Sequence, residues 1–151
     1  MSKKIIIKGV ITLENIQKNY ELILSKINEI HKASIFSKHK LPKLVAVSKK
    51  QEDYKIENAL ACGQKIFGEN RVQEAINRWQ KRIENNIDLE LRLIGPLQTN
   101  KVKQSLNLFD VIETIDREKI AVEIAKNLNL KTKTKSFYIQ VNTGNEPQKS
   151  G

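Results

Sequence analysis

From Leu44 onward the sequence repeats one unit, a short apolar run followed by a helical pattern. The apolar runs fall at 44–48, 65–68, 89–95, 109–115 and 136–142. Between them, apolar residues recur at three- and four-residue steps over 52–62, 70–84, 99–106 and 117–129. Five strand-then-helix steps, the last without its helix, predict parallel strands joined by right-handed crossovers. Two α/β architectures satisfy that pattern, a β/α barrel and a doubly wound sheet. A barrel needs eight strands and typically ~250 residues. A chain of 151 residues with five strands is too short for that, so length alone favours a five-stranded flavodoxin-like sheet.

A leading helix is predicted over 12–31. Thr12 can cap it and Glu14 suits its positive end, while Leu13, Ile16, Tyr20, Ile23, Leu24, Ile27 and Ile30 form one apolar stripe. A basic connector containing Pro42 leads to the β/α region, 44–151. There the inward helix residues are expected to be Ile56, Ala59 and Leu60, then Val72, Ala75, Ile76, Trp79 and Ile83, then Val102 and Leu106, then Ile120, Ile124 and Leu128. Gly63 stands where a helix C-terminal cap belongs, and Asp116 can cap the helix that follows it. In the last strand, Phe137, Ile139 and Val141 alternate with polar residues, which predicts an inside/outside pattern.

Charge narrows the classes of partner. The 27 basic and 17 acidic side chains give a formal net charge of +10, which favours contact with phosphate. The lysines are spread along the whole chain, however, and the few aromatics are not interleaved with them as stacking platforms. This argues for a solvated basic surface and against nucleic acid as a partner. A single cysteine, Cys62, excludes an internal disulfide and a cysteine metal cluster; beside Leu60 and Ala61 it reads as a buried, inert thiol. The apolar run Ile5 to Ile7 is too short for a signal segment, and no stretch reaches transmembrane length. The expected location is the cytoplasm, with no membrane partner.

Polar and glycine-bearing residues close each strand: Ser48-Lys49, Gly68-Glu69-Asn70, Gly95 to Lys101, Asp116 and Asn142-Thr143-Gly144. In parallel α/β folds that edge holds the chemistry. Lys49, at the end of Leu44-Val45-Ala46-Val47, is either a Schiff-base nucleophile or one more solvated lysine in a lysine-rich chain. Asn70, opening a helix, is either a plain N-cap or a side chain turned toward a ligand.

In this order and spacing, these segments resemble the pyridoxal phosphate homeostasis proteins, the YggS-like or PLP-binding-barrel family. The resemblance runs through Leu44 to Lys49, Phe67-Gly68-Glu69-Asn70-Arg71-Val72-Gln73-Glu74-Ala75, Leu93 to Lys103 and Gln140-Val141-Asn142-Thr143-Gly144. The blocks from Phe67 to Ala75 and from Ile94 to Lys101 are the specific ones. The resemblance implies a TIM-type (β/α) barrel like the alanine racemase N-terminal domain, preceded by a helix. It overrides the length argument: the chain is then one incomplete barrel domain with about five of eight β/α units. It also implies that the cofactor is pyridoxal 5'-phosphate (PLP), that the lysine forming the internal aldimine is Lys49, and that the asparagine near the cofactor is Asn70.

Two departures accompany the resemblance. The family's phosphate-gripping loops lie in a carboxyl-terminal third that this sequence lacks. In addition, Arg92 stands where the family usually has a histidine. A guanidinium there is costly if buried alone, and a phosphate or an acidic neighbour relieves it. A five-strand wall is expected to expose apolar edges, suited to self-association or to a complementing C-terminal fragment. No residue offers a convincing second acid/base, since His31 and His39 read as surface residues. The implied function is a non-catalytic PLP binder in vitamin B6 homeostasis; a racemase-like enzyme and a remnant that has lost PLP binding are the alternatives.

Overall fold

A computed structural model of the chain describes residues 2–85 and 88–151. The chain divides into two compact units, Met1–Lys65 and Ile66–Gly151.

The first unit comprises helix α1 (Ser2–Ala33), a short strand β1 (Ala46–Val47) and helix α2 (Asp53–Ala61). On α1, the residues Ile16, Tyr20, Leu24, Ile27 and His31 recede from solvent at steps of three and four, while Ile23 and Ile30 stay exposed. The helix begins at Ser2, so Thr12 lies within it rather than at its start. The one glycine before Thr12 costs a helix only about 1 kcal/mol, too little to stop it. Helix α2 buries Ile56 and ends at Cys62. Gly63 then adopts a φ of 89°, which glycine reaches without a Cβ penalty. Its N–H donates to the Leu60 carbonyl at 2.9 Å and that of Gln64 to Ala59 at 3.1 Å, the paired bonds of a Schellman cap. Cys62 is half-buried rather than buried, because the helix ends on it.

Strand β1 is shorter than the run 44–48 and is not buried on both faces: Val47 is 46% exposed. The backbone explains this. The Leu44 carbonyl accepts from the Gln64 side-chain amide at 3.0 Å, and a turn closes immediately after Val47, with the Gln51 N–H donating to the Ser48 carbonyl at 3.1 Å.

The second unit contains β2 (Ile66–Glu69), α3 (Val72–Glu84), β3 (Glu90–Leu93), a 3-10 turn over Thr99–Lys101 that runs into α4 (Val102–Leu108), β4 (Val111–Ile115), α5 (Glu118–Asn127) and β5 (Ser136–Ile139). All three strand pairs are parallel, and the strands lie in chain order, β2-β3-β4-β5. That order decides between the two architectures. A flavodoxin-like sheet places its first strand between the second and third, and the other doubly wound order separates the third from the fourth. Consecutive parallel neighbours are instead the wall of a TIM-type barrel. With β1–α2 counted, the chain carries about five of the eight β/α units of a partial TIM-type barrel, preceded by an N-terminal helix.

The alternation along β3 shows how the wall is built. Leu91 and Leu93 are buried, whereas Glu90 and Arg92 are partly exposed on the opposite face. The buried face, with Phe67 and Ile112, meets Trp79, Ala75, Val102, Leu106, Ile120 and Ile124 from the helices, all nearly inaccessible. Phe67 and Trp79 pack with ring centroids 4.6 Å apart. Each large aliphatic or phenyl side chain among these removed from water contributes roughly 1.5–3 kcal/mol. Leu128, expected inward, is exposed because α5 ends at Asn127. Strand β5 stops at Ile139 rather than 142, and Ile139 (79% exposed) and Val141 (68%) face solvent instead of a core. Strand β5 ends the sheet order, so nothing covers these residues among those described.

Candidate functional site

The strand ends carry the candidate residues, each positioned by local structure. In the first unit, Ser48 is buried while Lys49 and Lys50 are exposed. Lys50 adopts a φ of 57°, a left-handed conformation that a lysine holds only at some energetic cost. The strand therefore turns sharply within the Ser48–Gln51 turn, and Lys49 projects at its carboxyl exit. Among the described residues its ammonium meets no ion-pair partner.

In the second unit, Asn70 follows β2 and is half-buried. It is not a helix cap: the N-cap of α3 is Arg71, in extended backbone and without a side-chain cap bond. Three contacts hold Asn70 in place. The preceding Glu69 is fully buried and accepts from Arg78 Nη1 at 2.9 Å and Trp79 Nε1 at 3.0 Å, which ties the end of β2 to α3. The Ile94 N–H donates to the Glu69 carbonyl at 2.9 Å. Gly95 lies so close that an added Cβ would sit 2.4 Å from the Asn70 carbonyl oxygen. The Gly95 carbonyl in turn accepts from the Thr114 hydroxyl at 2.6 Å. The ends of β2 and β3 are thus locked together through backbone, and β4 is tied to them by the Thr114 hydroxyl.

Asn70 opens onto a cleft of about 690 Å³, which is also lined by Arg71, Gln98, Lys101 and Arg117. Arg117 is held from behind. Its Nη1 pairs with Asp116 at 2.6 Å and its Nη2 donates to the Leu97 carbonyl at 2.9 Å. Asp116 was expected to cap α5; Arg117 is the N-cap, without a side-chain bond, and Asp116 serves the guanidinium instead. Arg71 and Arg117 escape a reading of sequence alone. The available signal is that each directly follows a strand-end polar residue, Asn70 or Asp116.

The fifth strand end folds back on itself. The Asn142 side chain donates to the Glu146 carbonyl at 3.0 Å and accepts from the Glu146 N–H at 3.2 Å.

Arg92 is partly buried on the face of β3 opposite the helices. Its Nε donates to Glu90 at 2.6 Å and its Nη1 to Glu113 on β4 at 2.8 Å. Burial alone would lower its pKa, but the hydrogen bonds to Glu113 and Glu90 outweigh that and hold it above the ordinary arginine value. Acidic neighbours therefore relieve the guanidinium. The register partner of Arg92 on β2 is Gly68.

His31 donates from Nε2 to the His39 carbonyl at 3.1 Å, within the first unit. Among the described residues, no cluster of three or more His, Cys, Asp or Glu is placed to hold a metal ion. No helix among them is long and apolar enough to cross a membrane.

No family model matches the chain. Among curated proteins, it is 42% identical over 109 residues to the pyridoxal phosphate homeostasis protein of Pasteurella multocida, covering 72% of this chain and 47% of that one. It is 36% identical over 141 residues to the protein of the same name from Vibrio cholerae, covering 92% and 59%. For the Haemophilus influenzae protein of that name, the figures are 38% over 137 residues, covering 91% and 57%. The chain thus spans about half to three-fifths of the length of these relatives. Among solved structures, PipY of Synechococcus elongatus without PLP matches with a TM-score of 0.66 at 35% identity, covering 83% of this chain and 58% of PipY. PipY with PLP bound matches with a TM-score of 0.53 at 36% identity, covering 67% and 47%.

Proposed function

From a chain homologous to the pyridoxal phosphate homeostasis proteins, we propose a PLP-binding protein of intracellular PLP homeostasis, with Lys49 as the amine that holds the cofactor and Asn70 as a second cofactor-binding residue. The observation that carries this reading is the similarity to PipY, a protein solved with PLP bound. The residues fit the group. PLP supplies an aldehyde that a primary amine captures reversibly with loss of water, and Lys49 presents such an amine at a strand exit. The locked backbone around Asn70 offers a polar side chain of fixed position. Arg92 is already matched by Glu90 and Glu113, so phosphate recognition falls to other cations.

The protein acts as carrier or regulator rather than as an enzyme. A racemase needs a second acid/base opposite the cofactor, and both histidines lie in α1 and the connector after it. The curated relatives are named for homeostasis. The place of action is the cytoplasm, and the whole chain works as one incomplete barrel domain. The exposed Ile139 and Val141 beside β5 support pairing with a second copy or with a complementing C-terminal fragment. Sedimentation at rising concentration reads the first; a mass that stays monomeric leaves only the second.

An absorbance scan tests the reading. Adding PLP to the 151-residue chain is expected to produce a yellow band, which Lys49→Ala abolishes. Equal colour and equal borohydride fixation in both proteins would remove Lys49 from the site. No colour in either would mean that PLP binding has been lost.

A further inference from the structure

We propose that the connector between α1 and β1 is a contact surface for an anionic lipid bilayer, which it meets in the interface plane without crossing it. Lysines are spread along the whole chain, but carboxylates leave one gap. Between Glu29 and Glu52 stand six lysines, two histidines and no acidic residue. Large apolar side chains share this stretch and face water: Ile35 is 90% exposed, Ile30 69%, Phe36 59% and Leu41 44%. Among the described residues, Lys32, Lys38 and Lys40 are exposed and enter no ion pair. The expectation of no membrane partner rests on hydrophobic length, and contact in the interface plane needs no spanning segment.

Local bonds shape the connector into a closed loop. The His31 ring bonds the His39 carbonyl through Nε2 at 3.1 Å. Inside that closure, the Ser37 N–H donates to the Ser34 carbonyl at 3.2 Å and the His39 N–H to the Phe36 carbonyl at 2.8 Å. The Ser34 hydroxyl donates to the His31 carbonyl at 2.8 Å and accepts from the Phe36 N–H at 3.2 Å. The Phe36 ring meets the His39 ring edge-on, with centroids 5.7 Å apart. Ile35 and Phe36 therefore sit at the bend, midway between the residues that close the loop. A bend that leaves Ile35 almost wholly in water is convex, and offers a folded protein neither a groove nor a flat face. The interfacial layer of a bilayer yields around such a tip. Lysines beside it reach the headgroup phosphates through their flexible stems. The lysines supply the attraction that salt screens, and the apolar tip supplies the part that it does not.

The test is co-sedimentation of the full 151-residue chain with two kinds of vesicle, phosphatidylcholine alone and phosphatidylcholine with phosphatidylglycerol in equal parts. No PLP is present, so the outcome is independent of Lys49. Binding is expected to the mixed vesicles, with little to the neutral ones. Lys32→Gln with Lys38→Gln and Lys40→Gln should weaken it at least about tenfold, since each lysine near an anionic surface is worth about fivefold. Lys119→Gln with Lys126→Gln and Lys131→Gln removes as many exposed charges elsewhere and should weaken it far less. Ile35→Ser alters only an exposed side chain, so the fold is kept; it should weaken binding several-fold and make the remainder more sensitive to salt. Equal losses in the two triple variants would reduce the effect to net charge and overturn the assignment. So would Ile35→Ser binding as tightly as the parent, or a polyglutamate chain holding the protein as tightly as the mixed vesicles do, which would make the partner an acidic protein.

Discussion

Replacing Gly95 by alanine tests the geometry that positions Asn70. The new Cβ would lie 2.4 Å from the Asn70 carbonyl oxygen, 2.7 Å from its Cα and 2.9 Å from its carbonyl carbon. Ordinary contact begins at 3.4 Å, so the shortfall at the oxygen is about 1.0 Å (3.4 minus 2.4). All three obstructing atoms are backbone, and no rotamer change relieves them. The strands resist separation, because Ile94 is bonded to Glu69 and the Gly95 carbonyl to Thr114. Overpacking of this kind costs about 1–3 kcal/mol, and the double tether places the cost in the upper part of that range. At about 2–4 °C per kcal/mol for a chain of this size, Tm should fall by about 4–12 °C. The assay is thermal unfolding followed by circular dichroism, with the Asn70 amide resonance as a local reporter. Gly63→Ala is the control: its new Cβ meets nothing within 4 Å, so only the left-handed backbone is strained, at about 1 kcal/mol. A Gly95→Ala protein that melts within about 1 °C of the parent, with the Asn70 resonance unmoved, would refute the reasoning.

Other perturbations test the rest of the frame. Glu69→Gln removes the charge to which Arg78 and Trp79 donate and should destabilise the chain by roughly 1–3 kcal/mol, since charged hydrogen bonds become neutral ones at a buried position; urea midpoints measure this, and an unchanged midpoint would contradict the tether. Arg92→Met leaves Glu90 and Glu113 facing one another and should cost about 1–3 kcal/mol. Adding Glu113→Gln should recover part of that loss in a double-mutant cycle, whereas strict additivity would show that the two residues do not interact. The raised pKa of Arg92 fixes a sign as well. A group whose pKa is higher in the folded state contributes its full stability at every pH below its unfolded value, which for arginine lies in strong alkali. The wild-type ion pair should therefore survive alkaline titration to pH 11, and a stability loss that disappears in Arg92→Met below that pH would contradict the pairing.

Which parts of this could be read from sequence follows from physics. The alternation of runs and helical patterns yields the five strands, because burial imposes those periods directly. Strand order was less accessible from periodicity: length pointed toward a doubly wound sheet, the family resemblance overrode it in favour of a barrel, and the pairing of β2 with β3 and of β3 with β4 bears the barrel out. Ile139 and Val141 read as inward residues because alternation reports a face, not whether anything covers that face. A plain cap stayed open as one reading of Asn70 because helix starts are uncertain by a residue or two; the extended backbone at Arg71 moves the start past it. Glu90 lies two residues from Arg92 and is visible in sequence, whereas Glu113 becomes its partner only through the β3–β4 register. Arg71, Lys101 and Arg117 are lost in a lysine-rich chain until folding brings three junctions to one cleft.

The central claim is that a primary amine at the exit of β1 holds the cofactor. Treating the protein with PLP and borohydride, digesting it and mapping the pyridoxyl mass by peptide sequencing tests this directly. A single modified peptide carrying the adduct on Lys49 is the predicted result. An adduct spread over several surface lysines, or concentrated on Lys50 or another side chain, would contradict it.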